Sequence, residues 1–389
     1  MNPKTILVCA VLLVGCGGAD DPPPVTSASD APELALKSES WKGATVDVGK
    51  VAAVTELEGT VAVFSSLGVS MMAGGVVAAS DGSVRTWSSA STIPSADGRG
   101  SWIVAVDGEG KLRRLRGDAS MEDVSDRYGL LGKKVTSVAS IGGPLVAFSF
   151  DGGFAVADGK TVDLYSDASF QSLAGGSKRV VTIVPDGVKS FDPVAKTMVL
   201  YPLAGAAYAA FDPAGRLVVA TKRVIYVEHE AGVLTLRHKE IEDVHGLVTS
   251  GPRVWFTAGG ELGVLDDGGV HRSRGANVPF TAKLLAAADG DVWTLDDGTL
   301  QRFGVDADAD IKERTWSETI RPVFERACSK CHLPGGTAGV DLSSYRAWAA
   351  HATSIEDRVV VRKQMPPAGN ELSDVDRAAI AKWVEAQKK

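Results

Sequence analysis

The chain has 389 residues, 44% hydrophobic and 23% charged, an ordinary globular composition with length for two or three domains. Its 43 glycines, set against 6 Tyr and 6 His, point towards β-rich structure. The net charge of −7 is uneven: 311–389 carries 13 Lys/Arg against 10 Asp/Glu and the rest 28 against 38, which argues against nucleic acid as the main partner.

The first residues are a targeting signal. Lys4 gives a positive start, and Ile6–Val14 is an apolar run of nine, too short to span a bilayer. It ends in Leu13-Val14-Gly15-Cys16, which resembles the bacterial lipobox. That resemblance implies removal of residues 1–15, lipid on Cys16, and a membrane anchor in the cell envelope, facing the periplasm or the cell surface. Gly17 is compatible with outer-membrane sorting in that family. Cys9 leaves with the signal and Cys328 and Cys331 sit together near the end, so no pair remains for a structural disulfide. Residues 16–40 are rich in Pro, Ser, Asp and Ala, and are expected to form a disordered tether.

From 41 to 304, short apolar strands alternate with Gly and Asp turns. The best-marked begin at Val61, Ile103, Leu145, Val181, Leu217, Val254 and Val292, at steps of 36 to 42 residues. A period near forty, each unit holding several strands, is the signature of a β-propeller. Asp107-Gly108, Asp151-Gly152, Asp186-Gly187, Ala258-Gly259-Gly260 and Asp297-Gly298 supply hairpin turns. Seven starts predict about seven blades, with six to eight compatible. Residues 305–313 (VDADADIKE) read as an acidic linker.

Residues 314–389 change to helical period. Thr315-x-x-Glu318 can close a capping box, and Trp316, Ile320, Val323, Phe324 and Ala327 share one helix face. Pro322 should kink that helix or mark its true start. The stretch runs into Cys328-Ser329-Lys330-Cys331-His332, and C-x-x-C-H is the attachment signature of c-type haem. Two thiols three apart on a helical turn can reach two vinyl groups of one porphyrin, and the adjacent His supplies an axial nitrogen. Zinc would need further ligands, and a dithiol redox pair would need a βαβ setting. Met365, followed by Pro366 and Pro367, is the candidate second axial ligand, with His351 in the helical stretch 344–352 as its competitor. Ser373-x-x-Asp376 can cap a last helix whose apolar face is Val375, Ala379, Ile380, Trp383 and Val384.

Together, Ile320-Arg321-Pro322, CSKCH, Met365-Pro366-Pro367 and the closing LSDVDRAAIAKWV resemble a small class I cytochrome c domain, especially those fused to the ends of exported bacterial proteins. The likeness covers a fifth of the chain. It implies an all-α module with one covalent haem c held by Cys328 and Cys331, and iron held by His332 and Met365. It further implies that the first and last helices of the module pack together beside the haem, with Phe324 and Trp383 as candidates for that contact and the Pro334 carbonyl as a candidate to orient His332. Arg358 and Arg362, four apart, are candidates for pairing with haem propionates, or are solvated surface arginines.

The propeller offers little chemistry of its own. No His precedes His229, and His229, His238, His245 and His271 fall at no common blade position. Glu228-His229-Glu230 reads as a surface strand. The repeated Trp docking motifs and calcium site of quinone-cofactor dehydrogenases are not found, and no catalytic residue is assigned. The expected function is electron transfer to an unknown redox partner protein, with the propeller as a docking platform. Two alternatives are an oxidoreductase whose propeller oxidises a small substrate and passes electrons to the haem, and a surface-binding propeller with an accessory haem domain.

Overall fold

The computed structural model describes residues 25–27, 29, 31, 34, 36–40, 51–73, 76–82, 85–95, 100–158, 160–266, 269–273, 276–287, 290–296, 299–305, 312, 315–367 and 372–387. The expected signal peptide, Cys16, the Asp297-Gly298 turn and most of the acidic linker lie outside them. The chain divides into a β unit, Met1–Ala31 with Ser38–Gly304, and a mainly helical unit, Pro32–Lys37 with Val305–Lys389. No helix among the described residues is long and apolar enough to cross a membrane.

The β unit is a seven-bladed propeller built from seven sheets. Blades 1 to 6 are consecutive, spanning 51–81, 87–123, 135–165, 174–202, 208–239 and 244–273. Blade 7 spans 283–305 and takes its fourth strand from Leu36–Ser40. All seven strand starts read from the sequence fall on the second strand of a blade. Those strands are covered on both faces by neighbouring blades, so they are almost wholly buried, as in Thr60–Ser65, Ser101–Asp107 and Leu217–Ala220. A strand buried on both faces reads as a continuous apolar run, which made it legible. Outer strands such as Val162–Tyr165 and Thr197–Pro202 are half solvated and carry weaker patterns. The two-residue turn between Ala258 and Glu261 needs positive φ at both positions, and Gly259 (59°) and Gly260 (80°) supply it.

Apolar side chains fill the seams between blades. Between blades 2 and 3, Tyr128 lies 6.3 Å from Trp102 and 5.2 Å from Phe148, ring centre to ring centre. Between blades 3 and 4, Phe154 stacks on Phe170 at 4.3 Å and meets Phe191 edge-on. The ring closes where Lys283 of blade 7 donates to the Val51 and Ala52 carbonyls of blade 1, at 2.8 and 2.9 Å. Nearby, Trp293 Nε1 donates to Glu56 at 2.6 Å.

Part of the stretch expected to be a disordered tether is structured. Leu36–Ser40 completes blade 7, and Thr26–Ser27 adds a parallel strand beside His238 and Lys239 of blade 5. Ala31 and Leu34 are buried. Pairing along a sheet edge is made by backbone groups, which composition does not reveal.

Glu228 corrects the surface-strand reading of Glu228-His229-Glu230. His229 and Glu230 are exposed, but Glu228 is buried where blades 4 and 5 meet. Arg179 grips it with two nitrogens, at 2.9 Å to Oε1 and 2.6 Å to Oε2. It also accepts from the Leu217 N–H at 2.8 Å and from the Tyr201 hydroxyl. Burial would raise this carboxyl, but the hydrogen bonds from Arg179, Tyr201 and Leu217 outweigh it and hold the group below its ordinary range. Burial and the adjacent Glu228 push the Tyr201 hydroxyl up to about 12.

In the helical unit, a wide π-helical stretch, Trp316–Ile320, leads into helix α1, Arg321–Ala327. Pro322 sits in the first turn of α1, where its missing N–H costs nothing, so it marks the start of regular helix. The capping box expected at Thr315 is not formed: Thr315 already has helical angles (φ −60°, ψ −38°) and makes no cap hydrogen bond. Helix α2 is Ser329–His332, and α3, Tyr345–Ala350, is capped by the Ser344 hydroxyl. Helix α4, Ala352–Ile355, continues into a second π-helical stretch, Glu356–Val361.

Helix α5 is Asp374–Gln387. The box at its start is reciprocal: Asp376 N–H donates to Ser373 Oγ at 3.1 Å, and Ser373 N–H to Asp376 Oδ2 at 3.2 Å. Ile380, Trp383 and Val384 are buried, but Val375, expected on the same face, is 78% exposed. It lies in the first turn, outside the apolar stripe. Phe324 and Trp383 lie in one core, and Trp348 meets both rings edge-on, at 6.3 Å from Phe324 and 5.9 Å from Trp383.

Replacing Glu228 with Gln leaves the half-buried Arg179 guanidinium without its counter-charge, a change that should cost less than the ~3–5 kcal/mol of breaking a fully buried pair. Because the folded carboxyl is held low, its contribution is full above about pH 4.5 and is lost as pH falls through the folded value. Denaturant titrations at pH 7 and pH 3 should show E228Q less stable at pH 7 and flatter in its acid dependence. Equal stability at pH 7 would refute the role of the pair.

Candidate functional site

Helix α1 delivers Cys328 at its end, where the Cys328 N–H donates to the Phe324 carbonyl at 2.8 Å. The Cys328 carbonyl accepts from the N–H of Cys331 and of His332, both at 3.1 Å, so C-x-x-C-H is one tight turn. Neither Cys328 nor Cys331 is in a disulfide. Burial pushes the Cys328 thiol up to about 11, so it stays protonated at neutral pH.

The chain then folds back over the turn. Leu333 leaves α2 extended (φ −85°, ψ 165°), and Gly335 turns it with φ 75°. Ala338 N–H returns to the Cys331 carbonyl at 3.1 Å, and Leu342 N–H to the His332 carbonyl at 2.9 Å. A Cβ at Gly336 would lie 2.4 Å from the Cys331 carbonyl oxygen, so only glycine fits this approach. The folded-back loop brings the Val340 carbonyl to 2.9 Å from His332 Nδ1. Val340, not Pro334, therefore orients the ring, because the turn at Gly335 reverses the chain before an orienting carbonyl reaches it. A carbonyl can only accept, so Nδ1 carries the hydrogen and Nε2 keeps its lone pair.

Across the cavity, Met365 follows the stretch Glu356–Val361. The Gln364 and Met365 N–H groups both donate to the Arg358 carbonyl, at 2.8 and 3.1 Å. The Met365 carbonyl accepts from Arg377 of α5 at 3.3 Å. Cys328, Cys331, His332 and Met365 line one cavity of about 310 Å³, walled mainly by Ala327, Val340, Leu342, Trp348, Ile355, Val359 and Pro366. His351, the competing ligand, also lines it. Arg358 reaches the cavity, whereas Arg362 pairs with Asp357 at 2.9 Å.

Two site residues escaped the sequence. Trp348 is 1% exposed, lines the cavity and has an unpaired indole N–H. Arg377 is 12 residues from the loop it holds. Neither belongs to a short motif.

The donor set decides which group fits. No cluster of three or more His, Cys, Asp or Glu able to hold a metal ion occurs among the described residues, which disfavours zinc. Two thiols on one turn, an imidazole with its Nε2 lone pair free, a thioether and an apolar wall fit a porphyrin with its own iron.

Residues 317–384 match the family model described as cytochrome C oxidase, cbb3-type, subunit III. The helical unit is thus a cytochrome c-type domain, which implies a haem cofactor. No curated protein matches the chain. The propeller is similar in fold to three solved structures. A streptogramin B lyase is 14% identical, covering 70% of this chain and 98% of its own, with a TM-score of 0.52. Virginiamycin B lyase from Staphylococcus aureus is 11% identical, covering 69% and 99%, with a TM-score of 0.53. YCF48 bound to D1 peptide is 14% identical, covering 71% and 98%, with a TM-score of 0.52. At these identities the likeness describes the fold of the propeller alone; the cytochrome c-type domain that follows it rests on the family match over residues 317–384.

Proposed function

We propose that this protein is an exported c-type cytochrome lipoprotein, anchored through lipid on Cys16 at the outer membrane, that passes single electrons to a redox partner protein. The observation that carries the reading is the cavity shared by Cys328, Cys331, His332 and Met365. Haem supplies a one-electron store there. Cys328 and Cys331 would hold the haem through thioether bonds to its two vinyl groups, an addition that would release nothing and need no oxidant. His332 offers Nε2 as one axial ligand, with Val340 fixing its ring. Met365 offers its sulfur as the other, and a thioether in an apolar setting favours a higher potential than two imidazoles. Arg358, at the cavity wall, is placed to meet a propionate. The propeller serves as a docking platform. A propeller of this fold can hold a peptide, as YCF48 does with D1 peptide.

The protein expressed in a periplasm should carry haem that stays with the polypeptide after acid denaturation, and should show a reversible redox spectrum. C328A/C331A should lose that haem, and a wild-type protein without haem ends the proposal. Cys16→Ser should move the protein from the membrane fraction to the soluble one; an unchanged distribution removes the lipid anchor. Gly336→Ala, which drives a methyl group into the Cys331 carbonyl, should cost about 1–3 kcal/mol in the helical unit. It should also lower haem yield, measured as haem absorbance per polypeptide.

A further inference from the structure

We propose that Arg377 is a positioning residue for the Met365 ligand, clamping the backbone of the loop so that the sulfur stays on the iron. The inference rests on reading Met365 as an axial ligand. Arg377 is half-buried in the first turns of α5. One of its nitrogens, Nη1, meets two backbone carbonyls, that of Val359 and, at 3.3 Å, that of Met365. The two hydrogens on that nitrogen can serve one carbonyl each. Val359 itself lines the haem cavity, so the clamp ties the cavity wall to the loop that completes it.

The other side of Met365 is held as well, because its N–H donates to the Arg358 carbonyl at 3.1 Å. Both backbone polar groups of the ligand residue are therefore engaged. The base of the clamp is fixed in turn. The Ser373–Asp376 box sets where α5 begins, and Asp376 pairs with Arg326 of α1 at 2.8 Å. Helix α1 is the element that delivers Cys328. The helix that delivers Cys328 and the loop that carries Met365 are thus connected through Arg326, Asp376 and Arg377. A Met–iron bond is weak, so it competes with added ligands, and a loop free to swing out exposes the iron to them.

The test uses the full-length holoprotein and imidazole as the competing ligand for ferric iron. R377Q keeps helix propensity but is too short to reach the loop. It should bind imidazole about tenfold more tightly than wild type, from loss of a charge-assisted hydrogen bond to the loop. R377K, with the charge and a single ammonium, should fall between the two. M365A should bind imidazole most tightly, and R377Q/M365A should match M365A, since Arg377 acts only through the ligand. A merely structural role for Arg377 would add to M365A instead. Wild-type affinity in R377Q, with tightened binding in M365A, overturns the clamp alone. Wild-type affinity in M365A overturns the axial assignment and the clamp together. If R377Q takes up no haem, R377K carries the comparison, and an unchanged imidazole affinity there overturns the clamp.

Discussion

A four-stranded blade has two faces and too little apolar surface to stand alone, so each blade of this propeller is stable only with a neighbour on both sides. That requirement forces the ring to close, and closure fixes much of the rest. The second strands are buried through and through because each is sandwiched, and the core is a series of seams rather than one centre. Blade 7 and blade 1 meet as well, through Lys283 and Trp293, and blade 7 must borrow Leu36–Ser40 for its outer strand. At one seam the apolar fill gives way to a buried charge pair, Arg179 and Glu228. Its cost in desolvation is offset by six hydrogen bonds: the two of the pair itself, those that Glu228 accepts from Tyr201 and Leu217, and those from Arg179 to the Tyr201 hydroxyl and the Gly215 carbonyl. Such a pair fixes the register of blade 5 against blade 4 more narrowly than apolar packing would.

The helical unit works on a different scale. It has one small core, in which Trp348 is shared by the wall of the cavity and the packing of Phe324 and Trp383. The site and the core are therefore the same object, and a change in either is felt by both. Hydrogen bonds from the folded-back loop set the orientation of His332, and hydrogen bonds from α5 and the Arg358 carbonyl set the position of Met365. Main-chain carbonyls do most of this work, so side-chain identity constrains the geometry less than the path of the chain does.

That difference explains what could be read in advance. The C-x-x-C-H turn, Met365 and the Ser373–Asp376 box depend on local spacing, and all are where local reasoning puts them. The seven second strands depend on burial from both sides, which writes itself into composition. Glu228 did not follow, because its partner Arg179 lies 49 residues away and alternation along a strand says nothing of the neighbouring blade. Pro334 gave way to Val340 because a turn at Gly335 redirects the loop. Thr315 failed as a cap because the helix has already begun there.

The tether is where structure changes the proposed biology most. Composition suggested a free chain from Cys16 to Ser40, which covalent geometry would let extend to roughly 80 Å. Thr26–Ser27 is instead paired with the edge of blade 5. If lipid sits on Cys16 as proposed, only the segment between it and Val25 is left to span the distance, with a reach of about 30 Å. The rim of blade 5 is then held near the membrane surface. The N-terminal segment would on this argument serve twice, closing blade 7 by its later strand and limiting the reach of the propeller by its earlier one.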